Sequence, residues 1–191
     1  MTTPGPAPTG ATLTHRLASA HDIPALEALA SAAIAELQQG YLRPEQVVAS
    51  RGIMGIDTRL IADGTYYVVE HDGAAVGCGG WSRRATLYGG DHSAGRDDAL
   101  LDPATDPARI RAMYTHPRFV RRGVGRLVLS VCEEAAAAAG FTTLELMATL
   151  AGVPLYTAYG FSPVEEVDDV STGTPIPLVR MTKPVDATTR S

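Results

Sequence analysis

"IRAMYTHPRFVRRGVGRLVL", residues 110–129, divides into a strand, a turn and a helix start. "ARIRAMYTHP" (108–117) alternates as a strand does. "VRRGVGR" (120–126) then interleaves three arginines with two glycines. It runs on into "GRLVLSVCEEAAAAAG" (125–140). There Val124, Leu127, Val128, Val131, Cys132 and Ala135 fall on one helical face, and Gly140 stops the run. A helix that opens on a glycine turn exposes backbone N–H groups with no intrahelical partner. Those groups and the helix dipole favour an anion. Gly123 and Gly125 let it approach the main chain without a Cβ in the way, and Arg121, Arg122 and Arg126 supply positive charge. The stretch suits a pyrophosphate. Taken alone it also reads as a surface turn that carries arginines, because a glycine-rich turn before a helix is a weak motif. It lacks the Lys-Ser/Thr ending of a nucleotide-triphosphate loop, and the third glycine and βαβ frame of a dinucleotide site.

Elements of a mixed fold surround it. "TLTHRLA" (12–18) suits a first strand. A helix follows, with Asp22 as N-cap, Ile23, Leu26, Leu29, Ala30, Ala33 and Leu37 at helical spacing, and Gly40 at its end. "RPEQVVASRGIMG" (43–55) reads as a second helix with Pro44 in its first turn. "TYYVVEHDGAAVGCGGWSRR" (65–84) is a hairpin about His71-Asp72-Gly73. Residues 85–107 show no period, and a loop of that length in a compact domain is commonly functional or disordered. Downstream, "TTLELMA" (142–148) is a strand with Leu144, Leu146 and Ala148 on one side. "TLAGVPLYTAYG" (149–160) is a short helix with Thr149 as N-cap, and "FSPVEEVDDV" and "IPLVRMTK" make a closing strand pair. This order predicts an α/β (α+β) fold with a largely antiparallel sheet.

Two motifs in this order carry a resemblance. The strand, the proline and the glycine turn before a helix resemble the acetyl-CoA signature of the GNAT acyltransferase superfamily. "PLYTAYGF" (154–161) resembles that superfamily's aromatic-Tyr-x-x-x-Gly-Phe ending. The resemblance covers about residues 12–183, with tails at 1–11 and 184–191. Two departures stand out: Val120 occupies the Gln/Arg position of the signature, with Arg121 next to it, and Thr149 stands where Asn is frequent. The resemblance implies a twisted sheet of six or seven strands flanked by about four helices. It also implies acetyl-CoA as co-substrate, without a metal, and a chain able to form a homodimer.

Carried over by register, the resemblance implies that the backbone of Met113 and Thr115 pairs with the pantetheine arm, that Arg121, Arg122, Gly123, Val124, Gly125 and Arg126 hold the diphosphate, and that Thr149 reaches toward the arm. It implies that the Met113 N–H polarises the thioester carbonyl, an oxyanion donor worth about 3–4 kcal/mol. Tyr156 stands at the position of the superfamily's general acid. A phenol near pKa 10 transfers its proton to a thiolate near 8.5 only at a cost of roughly 2 kcal/mol, so a hydrogen bond to the departing sulfur is the sounder role. The base is open among Glu70, His71, His92, His116, Glu145 and a water chain. Trp81, with Arg83 or Arg84, reads as an acceptor pocket or as core with solvated arginines. Residues 85–107 are a candidate lid or acceptor-specificity element. The implied reaction is direct N-acetyl transfer to a primary amine, of a small molecule, in a ternary complex; the alternative is a non-catalytic acyl-CoA sensor.

Composition narrows the classes. Formal net charge is −5 over 191 residues, and nucleic-acid binding calls for a basic face instead. Two cysteines, Cys78 and Cys132, make no disulfide framework, which fits a reduced, cytoplasmic protein. No apolar run reaches membrane-spanning length, and "MTTPGPAPTGA" is unlike a secretory signal. It reads as a disordered tail.

Overall fold

The computed structural model describes residues 12–186; the tail read at 1–11 lies outside them, as do residues 187–191. The elements, in chain order, are β1 (Thr14–Leu17), α1 (Ile23–Leu37), α2 (Pro44–Ser50), α3 (Thr58–Ala62), β2 (Tyr66–His71) and β3 (Ala74–Ser82). Then follow β4 (Ala108–Thr115), α4 (Val124–Ala138), β5 (Thr143–Thr149), α5 (Val153–Tyr159), β6 (Ser162–Asp169) and β7 (Ile176–Pro184). The seven strands form one open sheet ordered β1-β2-β3-β4-β5-β7-β6. Every neighbour is antiparallel except β4 with β5. The α/β, largely antiparallel expectation therefore holds. The packed chain continues past residue 183: Pro184 closes β7, and Val185 is buried, its N–H donating to the Thr142 carbonyl at 3.0 Å.

The β2–β3 hairpin turns on Asp72 and Gly73, both left-handed at φ 51° and 76°, the pairing that a tight hairpin twist demands. Successive side chains on a strand face opposite ways. Tyr66 and Val68 thus pack with α1 and α3, while Val69 packs with α4 on the other face. The glycines of β3 make room for α4. A Cβ on Gly77 would lie 2.1 Å from Val124 Cγ1, and one on Gly79 would lie 2.7 Å from Val128 Cγ1. The close approach these glycines serve is that of a helix, not of a ligand.

Several local expectations change. Asp22 precedes α1 but does not cap it; its carboxylate reaches back to the Ser19 N–H at 2.7 Å and to Arg16. Helix α3 adds a fifth α-helix to the expected four or so. It is too short to show a period, and the Asp57 carboxylate caps it by accepting from the Arg59 N–H at 3.1 Å. Val124, Val128 and Cys132 of the expected α4 face are buried and Leu127 and Ala135 pack partly buried on the same core, while the face also takes in Leu129 and Glu133. Glu133 is drawn inside by Lys183 of β7, whose ammonium donates to it at 2.6 Å. Trp81 is core, its ring 5.9 Å from Phe141. Arg83 lies over that ring, and Arg84 pairs with Asp63. Cys78 and Cys132 are buried free thiols. Burial pushes Cys78 up to about 12 and Cys132 up as well, which removes them as nucleophiles.

Candidate active site

Strands β4 and β5 pair only at Ala108–Leu144 and Arg109–Glu145, then diverge. Just past that point β4 bulges, with Ala112 and Met113 together opposite Gly79. Ala112 is left-handed at φ 49°, a conformation that costs an L-residue about 1–2 kcal/mol. The fully buried Tyr66 hydroxyl holds it there, donating to the Ala112 carbonyl at 2.6 Å. Across a planar trans peptide the N–H is opposed to the C=O. The Met113 N–H therefore points away from Tyr66. The His116 N–H donates to the Val76 carbonyl at 2.9 Å, so by alternation the Thr115 N–H also faces away from β3. A cleft of about 740 Å³ opens through this gap.

At one end lies the glycine turn. Arg121 and Gly123 are left-handed, at φ 62° and 88°. The Leu127 N–H bonds to the Gly123 carbonyl at 2.9 Å, so the amides of Val124, Gly125 and Arg126 precede the first helical bond. Arg121, Gly123, Val124, Gly125 and Arg126 line the cleft. Arg122 does not; its guanidinium sits over the Phe119 ring at 5.1 Å. Packing also requires glycine at 125. A Cβ there would stand 2.6 Å from Leu155 Cδ2, so its absence seats α5 against α4.

In the middle, Tyr156 of α5 extends its hydroxyl to Met113 Sδ at 3.9 Å, and its ring packs on Phe161 at 6.0 Å. Burial pushes the phenol up to about 12. Thr149 is the last residue of β5 rather than the N-cap of α5, a position that Gly152 holds. Its hydroxyl accepts from Gln38 Nε2 at 3.4 Å. Met113, Thr115, Thr149 and Tyr156 all line the cleft.

The far end is built by residues that motif reading did not single out. Leu37, Gln38 and Tyr41 come from the end of α1, Met54 from the segment before α3, and Met147 and Leu178 from the sheet. The loop over 85–107 adds Leu87, Tyr88 and Gly89. The buried Arg111 anchors that loop, donating to the carbonyls of Thr86 at 2.9 Å and Gly89 at 2.7 Å and to Asp57 at 2.9 Å. Arg96 also pairs with Asp57.

The candidate bases are engaged elsewhere. Glu70 pairs with Arg16, and Glu145 with Arg109 and Arg180. His71 packs on Phe119, His92 bonds the Arg51 carbonyl, and His116 accepts from the Arg118 N–H. None of them lines the cleft.

Known proteins fit this frame. A family model described as an acetyltransferase (GNAT) domain matches residues 62–163. A search of curated proteins gives no match. Among solved structures, a GCN5-related N-acetyltransferase from Rhodopseudomonas palustris is 19% identical with a TM-score of 0.66. That match covers 95% of this chain and 99% of the other. A putative acetyltransferase, yncA, from Salmonella typhimurium, solved with its cofactor acetyl-CoA, is 17% identical with a TM-score of 0.61, covering 92% and 95%. The PaiA N-acetyltransferase from Thermoplasma acidophilum, solved with coenzyme A, is 12% identical with a TM-score of 0.62, covering 91% and 99%. The matched segment runs from the end of α3 through the bulged strand, the glycine turn and the helix that carries Tyr156, and by that match this chain belongs to the GNAT acetyltransferase family.

Proposed function

We propose that this chain transfers the acetyl group of acetyl-CoA to a primary amine of a small molecule, by direct attack in a ternary complex. The observation that carries the proposal is the meeting of Met113 and Tyr156 across the β4–β5 gap, with the amides of 124–126 at one end of the same cleft. Those amides, with Arg121 and Arg126, suit a diphosphate. The acetyl-CoA in the Salmonella structure of the same fold supports this choice of co-substrate.

The residues divide the work. The backbone of Met113 and Thr115 offers the cofactor arm a strand edge. The Met113 N–H, fixed by the Tyr66–Ala112 bond, is a preorganised donor for charge that develops on a carbonyl oxygen. Tyr156 keeps its proton, because burial raises its pKa. It serves as a hydrogen-bond donor to the departing sulfur, not as a full proton source. The anchored 85–107 loop acts as a fixed wall of the acceptor end. The free thiols of Cys78 and Cys132 suit a reducing, cytoplasmic setting.

Calorimetry with acetyl-CoA, followed by a free-thiol assay over an amine panel, tests the reading. Heat of binding and amine-dependent thiol release are expected. A folded chain that gives neither refutes it.

A further inference from the structure

Behind the acceptor end of the cleft lies a second cavity of about 340 Å³. Ile53, Leu87, Tyr88 and Gly89 line both, so they form the wall between the two. The two sides of that wall differ in chemistry. On the cleft side it continues into Leu37, Met54, Met147 and Leu178, and among the described residues no carboxylate lines the cleft. On the far side stand Thr86, Ser93, Asp97, Asp169 and Ser171, with no cationic side chain among the described residues that line it.

Tyr88 is the side chain that joins the two sides. Its ring packs with the apolar cluster of Leu42, Ile53, Ile176 and Leu178. Its hydroxyl reaches the acidic side and donates to Asp169 Oδ2 at 2.7 Å. Asp169 is 8% exposed, and its other oxygen is filled by Ser171, whose N–H and hydroxyl donate at 2.8 and 2.6 Å. Burial, with the Asp169 carboxylate beside it, pushes the Tyr88 phenol up to about 12, so this donor keeps its proton. The backbone around the ring is held independently. Arg111 grips the carbonyls of Thr86 and Gly89. The Thr86 hydroxyl also trades hydrogen bonds with the Asp97 backbone, at 2.8 Å each. On that fixed frame, the Tyr88 side chain is what stands between the apolar cleft and Asp169.

We infer that Tyr88 is a specificity-determining residue: its ring ends the acceptor site, and its hydroxyl occupies the carboxylate that would otherwise receive a second amino group. The inference rests on the proposed amine acetylation. A diamine bound by its reacting nitrogen brings its second ammonium against an apolar wall, and no carboxylate at that end offsets the lost hydration. Without the Tyr88 side chain, Asp169 Oδ2 loses its donor and faces the acceptor end. A buried carboxylate oxygen left unpaired is costly, and an ammonium is a strong donor to it. Removing the ring therefore turns the same cleft toward diamines.

The test compares kcat/KM for butylamine to octylamine with that for the terminal diamines of matching length, by thiol release from the full chain and its variants. The wild-type chain is expected to favour the monoamine at every length. Tyr88→Ala is expected to raise the diamine-to-monoamine ratio about tenfold or more, with the acetyl-CoA KM unchanged. Tyr88→Leu moves the ratio the same way and serves if the alanine variant does not fold. Tyr88→Phe keeps the ring and is expected to keep the wild-type ratio. Asp169→Asn added to Tyr88→Ala is expected to cancel the gain. The inference is overturned by a wild-type preference for diamines, by an unmoved ratio in the alanine or leucine variant, or by a gain that survives Asp169→Asn. A phenylalanine variant that shifts as far as alanine also overturns it, since loosening rather than an opened wall would then be the cause. A wild-type chain that releases no thiol with any amine overturns the acetylation reading and this one with it. A chain active on monoamines whose ratio does not respond to position 88 loses only this one.

Discussion

Tyr156 carries a raised phenol pKa and a hydroxyl within reach of Met113. A raised pKa means that the neutral form persists until pH approaches about 12. The residue thus remains a donor throughout the working range and contributes no limb to the rate profile near neutrality. Tyr156→Phe is expected to lower kcat about 10²–10⁴-fold, with acetyl-CoA affinity unchanged by calorimetry and the pH profile unmoved. Undiminished turnover with a good acceptor would remove the hydroxyl from the chemistry. Tyr156 was legible because it sits inside a local motif. Gln38 was not, because only the tertiary fold brings the end of α1 beside Thr149. Tyr66 was hidden in the same way: its partner, the Ala112 carbonyl, lies 46 positions along the chain.

At the scale of elements, the tight seat of α5 on α4 ties the glycine turn to the helix that bears Tyr156. Gly125 is where they touch. Gly125→Val is expected to destabilise the chain by about 1–3 kcal/mol through overpacking, read from urea denaturation. Adding Leu155→Ala should recover much of that loss, since contacting sites couple. Additive losses in the double variant would show that the two helices do not meet through this pair. Both glycines of the turn were visible in the sequence, but only Gly123 owes its identity to backbone conformation. The position of α4 was legible from its period. So was most of its buried face; Glu133 was not, because its pairing with Lys183 draws a charged side chain inward. Five-residue α3 offered no period, although Asp57 ahead of "TRLIA" marks its start.

For the whole molecule, acid sensitivity follows from carboxylates held in their charged form. Hydrogen bonds from Arg16 hold Asp22, and hydrogen bonds from Arg84 hold Asp63, below the usual carboxylate range. A depressed folded-state pKa stabilises the fold at pH above the unfolded value, about 3.9. That contribution is lost as pH falls toward the folded-state pKa. Thermal melting should therefore show a steady Tm from pH 8 to about 5 and a decline below about pH 4. A Tm that stays level down to about pH 3 would take these two pairs out of the stability of the fold. Fold class and the β2–β3 hairpin were legible from alternation and turn chemistry. The insertion of β7 between β5 and β6 was not, since strand order depends on contacts distant in sequence.

The clamp on the 85–107 loop has a practical consequence. Arg111 grips Thr86 and Gly89 by their carbonyls, groups that every amino acid possesses. The frame therefore does not depend on which side chain stands at 87, whereas Tyr88 adds a tie of its own, its hydroxyl donating to the Asp169 carboxylate at 2.7 Å. Leu87 is the exchangeable position on this anchored backbone, and the natural place to begin retuning the proposed acceptor preference.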